Sequence, residues 1–398
     1  MHPYLSADIP GTGGVIKESP DDFVVHENPA YEPCGSGEHL YLTIEKRGIT
    51  TLEAIHRIAR ALKVSERDVG YAGMKDAVGV TRQTLSVQRV KAEDALALKL
   101  DGVSVISARR HGNKLKLGHL KGNLFKIVVR GVSADAAATA QSVLQLLQQR
   151  GVPNYFGYQR YGALGNSHLI GAAMLRRDWQ GAVDRMIGEP DAVRDPEWRS
   201  AIDSYQQGNL SAALDQMPRH CRSERDVLQR LAATPGAWEK AFSLIHPRLK
   251  KLYLSAYQSY LFDKVVELRL ETIDQVMEGD LAWKHLNGAC FLVEDMEAAA
   301  PRAAAFEISA SGPMFGSRMT QPGGVVLRQE QRILEDQGVR CDDFDLGRGL
   351  HLEGERRPLR VPLGDPVCLM AGKALLLEFS LPKGSYATAV LREITKAF

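Results

Sequence analysis

The segment GYAGMKDAVGVTRQTLSV, residues 70–87, joins a glycine-rich stretch to a run of alternating polar and apolar residues. Three glycines surround Lys75 and Asp76, which predicts a tight loop ahead of a strand. Asp76 is the one acidic residue between Asp68 and Glu93, and cations lie close to it in sequence. A neighbouring cation keeps an aspartate ionised and available as a nucleophile or base. On composition alone, an aspartate that makes a turn hydrogen bond is the commoner case.

Alternation of apolar and polar residues on both sides of this segment predicts further strands. These are FVVHE from Phe23, LYLTIEK from Leu40, LFKIVVR from Leu124 and KALLLEFSLP from Lys373. Helical periodicity predicts helices at 52–62, 135–150 and 386–394. Because strands and helices interleave with short links, we expect an α+β layer with antiparallel strands.

The middle of the chain, from about residue 154 to residue 350, has a mostly helical pattern. The predicted elements there include two helices and a glycine- and proline-rich loop, at 164–177, 256–270 and 312–316. A chain of 398 residues is long enough for two domains. We therefore expect a discontinuous sheet-containing domain, 1–153 plus 351–398, interrupted by a helical insertion at 154–350.

Composition excludes several classes of protein. Fifty basic and 48 acidic residues give a net charge of +2. No stretch of the sequence approaches the ~20 apolar residues that a membrane span requires. The five cysteines are scattered without CxxC spacing, which argues against a zinc ribbon or a disulfide framework and favours the cytoplasm. HExxH, GxSxG and GxxxxGK[ST] motifs are absent from the sequence, so no metal, nucleotide or organic cofactor is expected.

Positive charge is nevertheless concentrated locally. Between Asp101 and Asp135 the sequence holds no acidic residue but seven lysines and arginines, which we call the basic belt: Arg109, Arg110, Lys114, Lys116, Lys121, Lys126 and Arg130. Such a face can follow a phosphate backbone, and Phe125 within the belt offers a stacking surface for an unstacked base. A solvated strand face is the alternative, but the absence of acids favours nucleic acid.

The string GYAGMKDAVGVTRQ closely resembles the signature of the TruD family of tRNA pseudouridine synthases. Other blocks resemble that family in the expected order: IKESPDDFVVHE from Ile16, KRGITT from Lys46, GHLKGNLFKIVVR from Gly118, PNYFGYQRYG from Pro153, SAYQSYLFD from Ser255, SGPMFG from Ser311 and LPKGSYATAVLRE from Leu381. The resemblance spans nearly the whole chain, although the region 194–241 carries no block that we can match.

This resemblance implies a pseudouridine-synthase core, a mixed, largely antiparallel sheet with flanking helices, over 1–153 plus 351–398. It implies that 154–350 is the family-specific, mostly helical α/β insertion domain. The activity implied is that of an isomerase (an intramolecular transferase) that converts a uridine of tRNA, typically U13 of the D arm, to pseudouridine. The implied partner is tRNA, with no cofactor, metal, membrane or obligate protein partner.

The resemblance also implies site residues. Asp76 stands at the place of the catalytic aspartate, which attacks the target nucleotide; the base then detaches, rotates and rejoins through carbon 5. Asn123 occupies the place of a pocket asparagine, whose amide suits a uracil edge or the Asp76 carboxylate. Lys17 is expected to be a charge partner of Asp76.

Three aromatic residues complete the implied pocket. Phe125 would stack on the flipped base, and Phe23 matches another pocket aromatic. Tyr386 falls where the family more often has phenylalanine, so its aromatic face is kept and a hydroxyl is added. Without the resemblance, Phe23 and Phe125 would be assigned to the core.

Two other functions fit parts of the sequence. A non-catalytic RNA-binding protein would share the basic belt but would not need Asp76. A carbohydrate-active enzyme would use a pair of carboxylates, such as Glu353 with Glu355 or Asp342 with Asp343, in a cleft without clustered cations. The belt and the ordered blocks place both behind the isomerase.

Overall fold

The computed structural model describes residues 2–347 and 349–397. Contacts between residues divide the described chain into two compact units. The first unit contains the residues up to Val152 and those from Val361 onward, and the second unit is Pro153–Arg360. Each unit has its own sheet and its own helices.

The strands of the described chain are β1 (Val15–Ile16), β2 (Phe23–Pro29), β3 (His39–Arg47), β4 (Gly70–Tyr71), β5 (Val80–Gln88), β6 (Val103–His111), β7 (Leu120–Arg130), β8 (Val152–Pro153), β9 (Leu281–Lys284), β10 (Cys290–Leu292), β11 (Ile308–Met314), β12 (Glu355–Pro358), β13 (Arg360–Val361), β14 (Gly364–Ala371) and β15 (Ala374–Pro382). The helices are α1 (Thr51–Leu62), α2 (Ala92–Leu96), α3 (Ala136–Arg150), α4 (Ser167–Leu175), α5 (Trp179–Ile187), α6 (Pro196–Gln206), α7 (Leu210–Gln216), α8 (Arg222–Ala233), α9 (Trp238–Ser243), α10 (Pro247–Leu268), α11 (Met296–Ala304), α12 (Gly324–Asp336) and α13 (Ala387–Thr395). Short 3-10 helices lie between several of them.

The first unit is built on one sheet with the strand order β14-β15-β7-β2-β5-β3-β6. Strand β1 lies beside β7, and β4 lies beside β5. Among the described residues of this sheet, β2 and β5 form the one parallel pair, and the other pairs are antiparallel. The α+β class and the mixed, largely antiparallel sheet are therefore confirmed.

The helices of the first unit cover one face of this sheet. Alternation along β3 directs Leu40, Leu42 and Ile44 into a core shared with α1. A second core joins β7 and β15 to α3 and α13. Val25 of β2, which belongs to the second core, lies beside Thr81 of β5. Thr81 in turn lies beside Lys46, which is on the same face of β3 as Leu42. Both cores therefore lie on the same face of the sheet. The opposite face carries the polar residues of the alternation.

The centre of the sheet is open along part of its length. Strand β2 pairs with β5 only through residues 24–26 and 80–82. Further along, β4 pairs with Ser86 and Leu85 of β5 instead. The loop from residue 72 to residue 79 therefore starts and ends beside β5, next to the point where β2 diverges. Asp76 lies in this loop.

The second unit is mostly helical and contains a four-stranded sheet with the order β10-β9-β11-β12. Its long helix α10 begins at Pro247, nine residues before the predicted start at 256. The helix extends because Pro247 suits the first helical position and His246 caps it through Arg248 N. The described chain has no helix whose length and apolar character would suffice to cross a membrane.

The predicted loop at 312–316 is wrong for its first three residues. Residues 308–314 form the buried strand β11, which pairs with β9 and β12. The absence of a side chain at Gly312 allows Leu359 and Phe262 to pack against the strand. A Cβ atom at residue 312 would lie 2.7 Å from Leu359 Cδ2 and 3.2 Å from Phe262 Cε2. The glycine marks close packing rather than a turn.

Candidate active site

The main chain around Asp76 is held by two side chains from outside its loop. Lys46, at the end of β3, is fully buried, and its Nζ donates to the carbonyl oxygens of Asp76 (2.5 Å) and Ile49 (2.8 Å). Thr51 Oγ1, at the first position of α1, accepts from Lys75 N (2.9 Å). Thr51 thus holds the main chain just before the Cα atom of Asp76, and Lys46 holds the main chain just after it. We did not predict the roles of Lys46 and Thr51, although they are the first and last residues of the KRGITT block.

Burial changes the acid–base properties of Lys46. Removal of its ammonium from water lowers the pKa to about 8, and the nearby carboxylate of Asp76 opposes that effect. Lys46 is therefore a charge held inside the protein at neutral pH, next to the main chain of the candidate nucleophile.

Lys17 lies beside the Asp76 carboxylate, as expected. Its Nζ is 3.4 Å from Asp76 Oδ2, and 31% of the Asp76 side chain is exposed. The same ammonium lies 4.1 Å from the centroid of the Phe23 ring. Lys17 has a φ of 63°, in the left-handed region that non-glycine residues rarely adopt. Such backbone strain is typical of functional sites, and here it accompanies a lysine that contacts both Asp76 and Phe23.

A buried ion pair connects the loop to β2. Lys75 Nζ lies 2.8 Å from Glu27 Oε2, and their side chains are 6% and 2% exposed. The other carboxylate oxygen of Glu27 accepts from Thr84 N at 3.1 Å. The Glu27 side chain thus meets β5 just beyond the point where β2 stops pairing with it. Sequence reasoning missed this pair, since the FVVHE alternation indicated only a strand.

The structure packs the predicted aromatic residues into the core. Phe23 and Phe125 are buried, with ring centroids 6.3 Å apart at 62°, and Phe379 lies against Phe125 at 5.5 Å. Tyr386 is half-buried and precedes α13, which contributes to the same core. Phe23 contacts the Asp76 site through Lys17, whereas Phe125 lies behind Phe23.

Asn123 lies on β7, directly opposite Glu27 of β2. Its Oδ1 atom is buried and has no hydrogen-bond partner among the described residues. A buried amide oxygen without a partner is costly to a folded protein, so its presence favours a ligand that donates to it. No group of three or more His, Cys, Asp or Glu side chains in the part of the chain that is described could hold a metal ion.

The basic belt divides into paired and unpaired cations. Lys126 pairs with Glu378 at 2.9 Å, and Arg130 pairs with Asp22 at 2.7 Å. Arg110 and Lys114 donate to main-chain carbonyls. Three belt side chains are exposed and make no ion pair or hydrogen bond within the described chain: Arg109, Lys116 and Lys121. The positive surface available to a ligand is therefore smaller than the sequence indicates.

Comparison with known proteins identifies a family for this chain. The family model described as tRNA pseudouridine synthase D (TruD) matches residues 1–394. The chain is 61% identical over 397 residues to tRNA pseudouridine synthase D of Geotalea daltonii, covering 100% of both chains. It is 63% identical over 393 residues to the protein of that name from Geobacter metallireducens, covering 99% of this chain and 97% of the relative.

A solved structure has the same fold. It is a crystal structure described as that of a candidate TruD from Methanosarcina mazei, 26% identical, with a TM-score of 0.85. The match covers 100% of this chain and 96% of that one. Together with the matched family model, it shows that the chain belongs to the TruD family of tRNA pseudouridine synthases.

Proposed function

We propose that Asp76 is the nucleophile with which this synthase isomerises a uridine of tRNA, U13 of the D arm. The observation that carries the proposal is the Asp76 carboxylate, part-exposed on a loop whose main chain is fixed by Lys46 and Thr51. A carboxylate positioned in this way meets its substrate without first ordering the loop.

The reaction conserves the composition of the uridine, although one hydrogen is exchanged with solvent. The carboxylate attacks the nucleotide, the bond between N1 and the ribose breaks, and the base rotates before C5 bonds to the ribose. The hydrogen on C5 leaves as a proton, N1 gains a proton, and the aspartate is released. Since product and substrate are isomers, the reaction consumes no cofactor.

The target base has to leave the helical stack to reach Asp76. Asn123 Oδ1 would accept a hydrogen bond from the uracil edge, which would satisfy an atom otherwise buried without a partner. Lys17 covers one face of Phe23 at 4.1 Å, so a base that stacks on Phe23 has to displace that ammonium. Phe125 would support Phe23 from behind, and Tyr386 would line the pocket beside α13.

We further propose that the first unit is the catalytic domain and the second the insertion domain. The supporting observation is that Asp76, Lys17, Phe23 and Asn123 all belong to the first unit. The five cysteines are unpaired in the structure, which suits work in the reducing cytoplasm, where tRNA is modified.

The experiment is tritium release from tRNA that carries 5-tritiated uridine. Wild type should release tritium, whereas Asp76→Asn and Asp76→Ala should release none and still bind tRNA. Asp94→Asn, an exposed aspartate of α2, is the matched control and should behave as wild type. A tRNA with cytidine at position 13 tests the target. Release by Asp76→Ala would refute the assignment, and RNA binding without release by wild type would favour the non-catalytic RNA-binding protein.

A further inference from the structure

A cavity of about 290 Å³ lies in the first unit, on the sheet face that points away from α1. Hydroxyl groups of Thr84, Thr43 and Ser107 line it, and these residues lie opposite one another across β5, β3 and β6. Tyr41 and Arg109, an opposed pair on β3 and β6, extend the same face. The volume is near the lower end of the range for small-ligand sites.

Aromatic rings form one wall of this cavity. The Tyr31 ring stacks on His111 with centroids 5.1 Å apart, and its hydroxyl lies 2.7 Å from His119 Nδ1 and 3.3 Å from the Tyr41 hydroxyl. These contacts fix the ring, yet 36% of Tyr31 remains exposed. A fixed, exposed aromatic ring beside hydrogen-bonding groups is the arrangement on which unstacked nucleobases bind.

The charged residues that line the cavity are one cation, Arg109, and two carboxylates, Glu27 and Glu32, of which Glu27 is paired with Lys75. Arg109 is exposed and makes no ion pair or hydrogen bond within the described chain. The segment that contributes Leu115 and His119 to the wall also carries Lys116 and Lys121, the other two unpaired cations of the basic belt. Unpaired arginine and lysine side chains attract a nucleic-acid backbone.

Glu27 connects the cavity with the loop of the candidate nucleophile. Its carboxylate lines the cavity and also pairs with Lys75, the residue before Asp76. The Asp76 loop itself is fixed on the α1 side of the sheet through Thr51. Asp76 and its neighbours Lys17, Phe23 and Asn123 are not among the residues that line the cavity. Within the described chain the cavity and the Asp76 site are therefore separate places that share Glu27.

We propose that this cavity binds a ribonucleotide of the RNA substrate other than the uridine that meets Asp76. Its base lies against Tyr31, and its phosphate lies at Arg109. The proposal rests on the proposed function in that the ligand is RNA, but it does not require that Asp76 be the nucleophile.

The test measures tRNA affinity in the full chain with Asp76→Asn, so that the RNA is not converted. Tyr31→Ala and Arg109→Ala should each weaken binding about tenfold, the loss expected for one stacked base or one desolvated phosphate contact. Tyr31→Phe keeps the ring and should stay within about twofold of its parent. Arg60→Ala is the matched control, because Arg60 is an exposed arginine of α1, on the other face of the sheet.

A second measurement locates the nucleotide. Ultraviolet cross-linking of tRNA, followed by mass spectrometry, should join the peptide that contains Tyr31 to a nucleotide that is not the target uridine. A cross-link to the target uridine, or equal affinities for Tyr31→Ala and Arg60→Ala, would overturn the proposal. Absence of tritium release by wild type would refute the proposed function and leave these binding results standing.

Discussion

The buried ammonium of Lys46 donates a hydrogen bond to the main-chain carbonyl of Asp76, 30 residues away in the sequence. The bond fixes the backbone of the loop that carries Asp76, while the Asp76 carboxylate lies beside Lys17. A second bond, to the carbonyl of Ile49, ties the same ammonium to the start of α1. The position of the candidate nucleophile therefore depends on a charge that is fully buried.

Replacement of Lys46 should slow the reaction without weakening RNA binding. Lys46→Met leaves two buried carbonyl oxygens without their donor, and the loop should lose its fixed position. We expect single-turnover tritium release to fall about 10- to 100-fold, with tRNA affinity within about twofold of wild type. Lys99→Met, at an exposed lysine, is the control. Equal rates for the two variants would show that the anchor is dispensable.

The pH dependence of stability should reveal the same lysine. Burial lowers the pKa of Lys46 to about 8, whereas the unfolded chain holds that proton up to about pH 10.4. Between these values the unfolded state binds more protons, so folding gains stability as the pH rises. The unfolding free energy of wild type minus that of Lys46→Met should rise from pH 8 to pH 10 in urea titrations, by at most about 1.4 kcal/mol per pH unit. A constant difference would contradict the lowered pKa.

Breaking the Glu27–Lys75 pair should destabilise the first unit. Glu27→Gln leaves a lysine that is 6% exposed without its counter-charge, which typically costs about 3 to 5 kcal/mol. The double variant Glu27→Gln with Lys75→Met removes both charges and should recover most of that loss. Urea unfolding of the two single variants and the double variant measures the coupling. Additive losses would mean that the pair contributes nothing as a pair.

Gly122, next to Asn123 on β7, should tolerate no side chain. A Cβ atom there would overlap the carbonyl oxygen of Leu381 on the neighbouring strand β15. Gly122→Ala should therefore lower the unfolding free energy by about 1 to 3 kcal/mol. Gly112→Ala is the control, because a Cβ at Gly112 has no heavy atom within 4 Å. A similar melting temperature for both variants would contradict the close packing of β7 on β15.

The salt dependence of tRNA binding should separate paired from unpaired cations of the basic belt. Lys121 is exposed and unpaired in the described chain. In Lys121→Ala the negative slope of log K against log salt should therefore become less steep by about one. Lys126 already pairs with Glu378, and Lys126→Ala should change that slope less. Equal changes would show that RNA displaces the Glu378 pair.

Sequence reasoning succeeded where the pattern is local. The predicted helices at 52–62 and 135–150 are found as α1 and α3 within one residue at each end, because periodicity and the residues that cap a helix, such as Thr50 before α1 and Gly151 after α3, belong to the segment itself. The start of α10 and the buried strand at Gly312 were missed, since capping by His246 and packing on Leu359 depend on residues outside the pattern.

The candidate site likewise contains residues that were identified from the sequence and residues that were missed. Asp76 stands out in its loop, but its role as a nucleophile, like the choice of Lys17, came from the resemblance; the two side chains lie 3.4 Å apart. Lys46 and Glu27 could not be named, because each continues the apolar face of its strand, after Ile44 and Val25, and the alternation does not show which group pairs with a charge there. Their neighbours come from elsewhere in the chain, and only the divergence of β2 from β5 brings Glu27 to Lys75.

The strand order also determines when the sheet of the first unit can be completed during translation. Strand β7 lies between β2 and β15, yet β15 is translated only after the whole second unit. Until then the first unit presents an unpaired β7 edge, the kind of surface that aggregates unless it is covered. Closure comes last, when Glu393 of α13 accepts hydrogen bonds from the main chain of Leu5 and Ser6. The second unit can fold during translation, whereas the unit that carries Asp76 has to wait for its final helix.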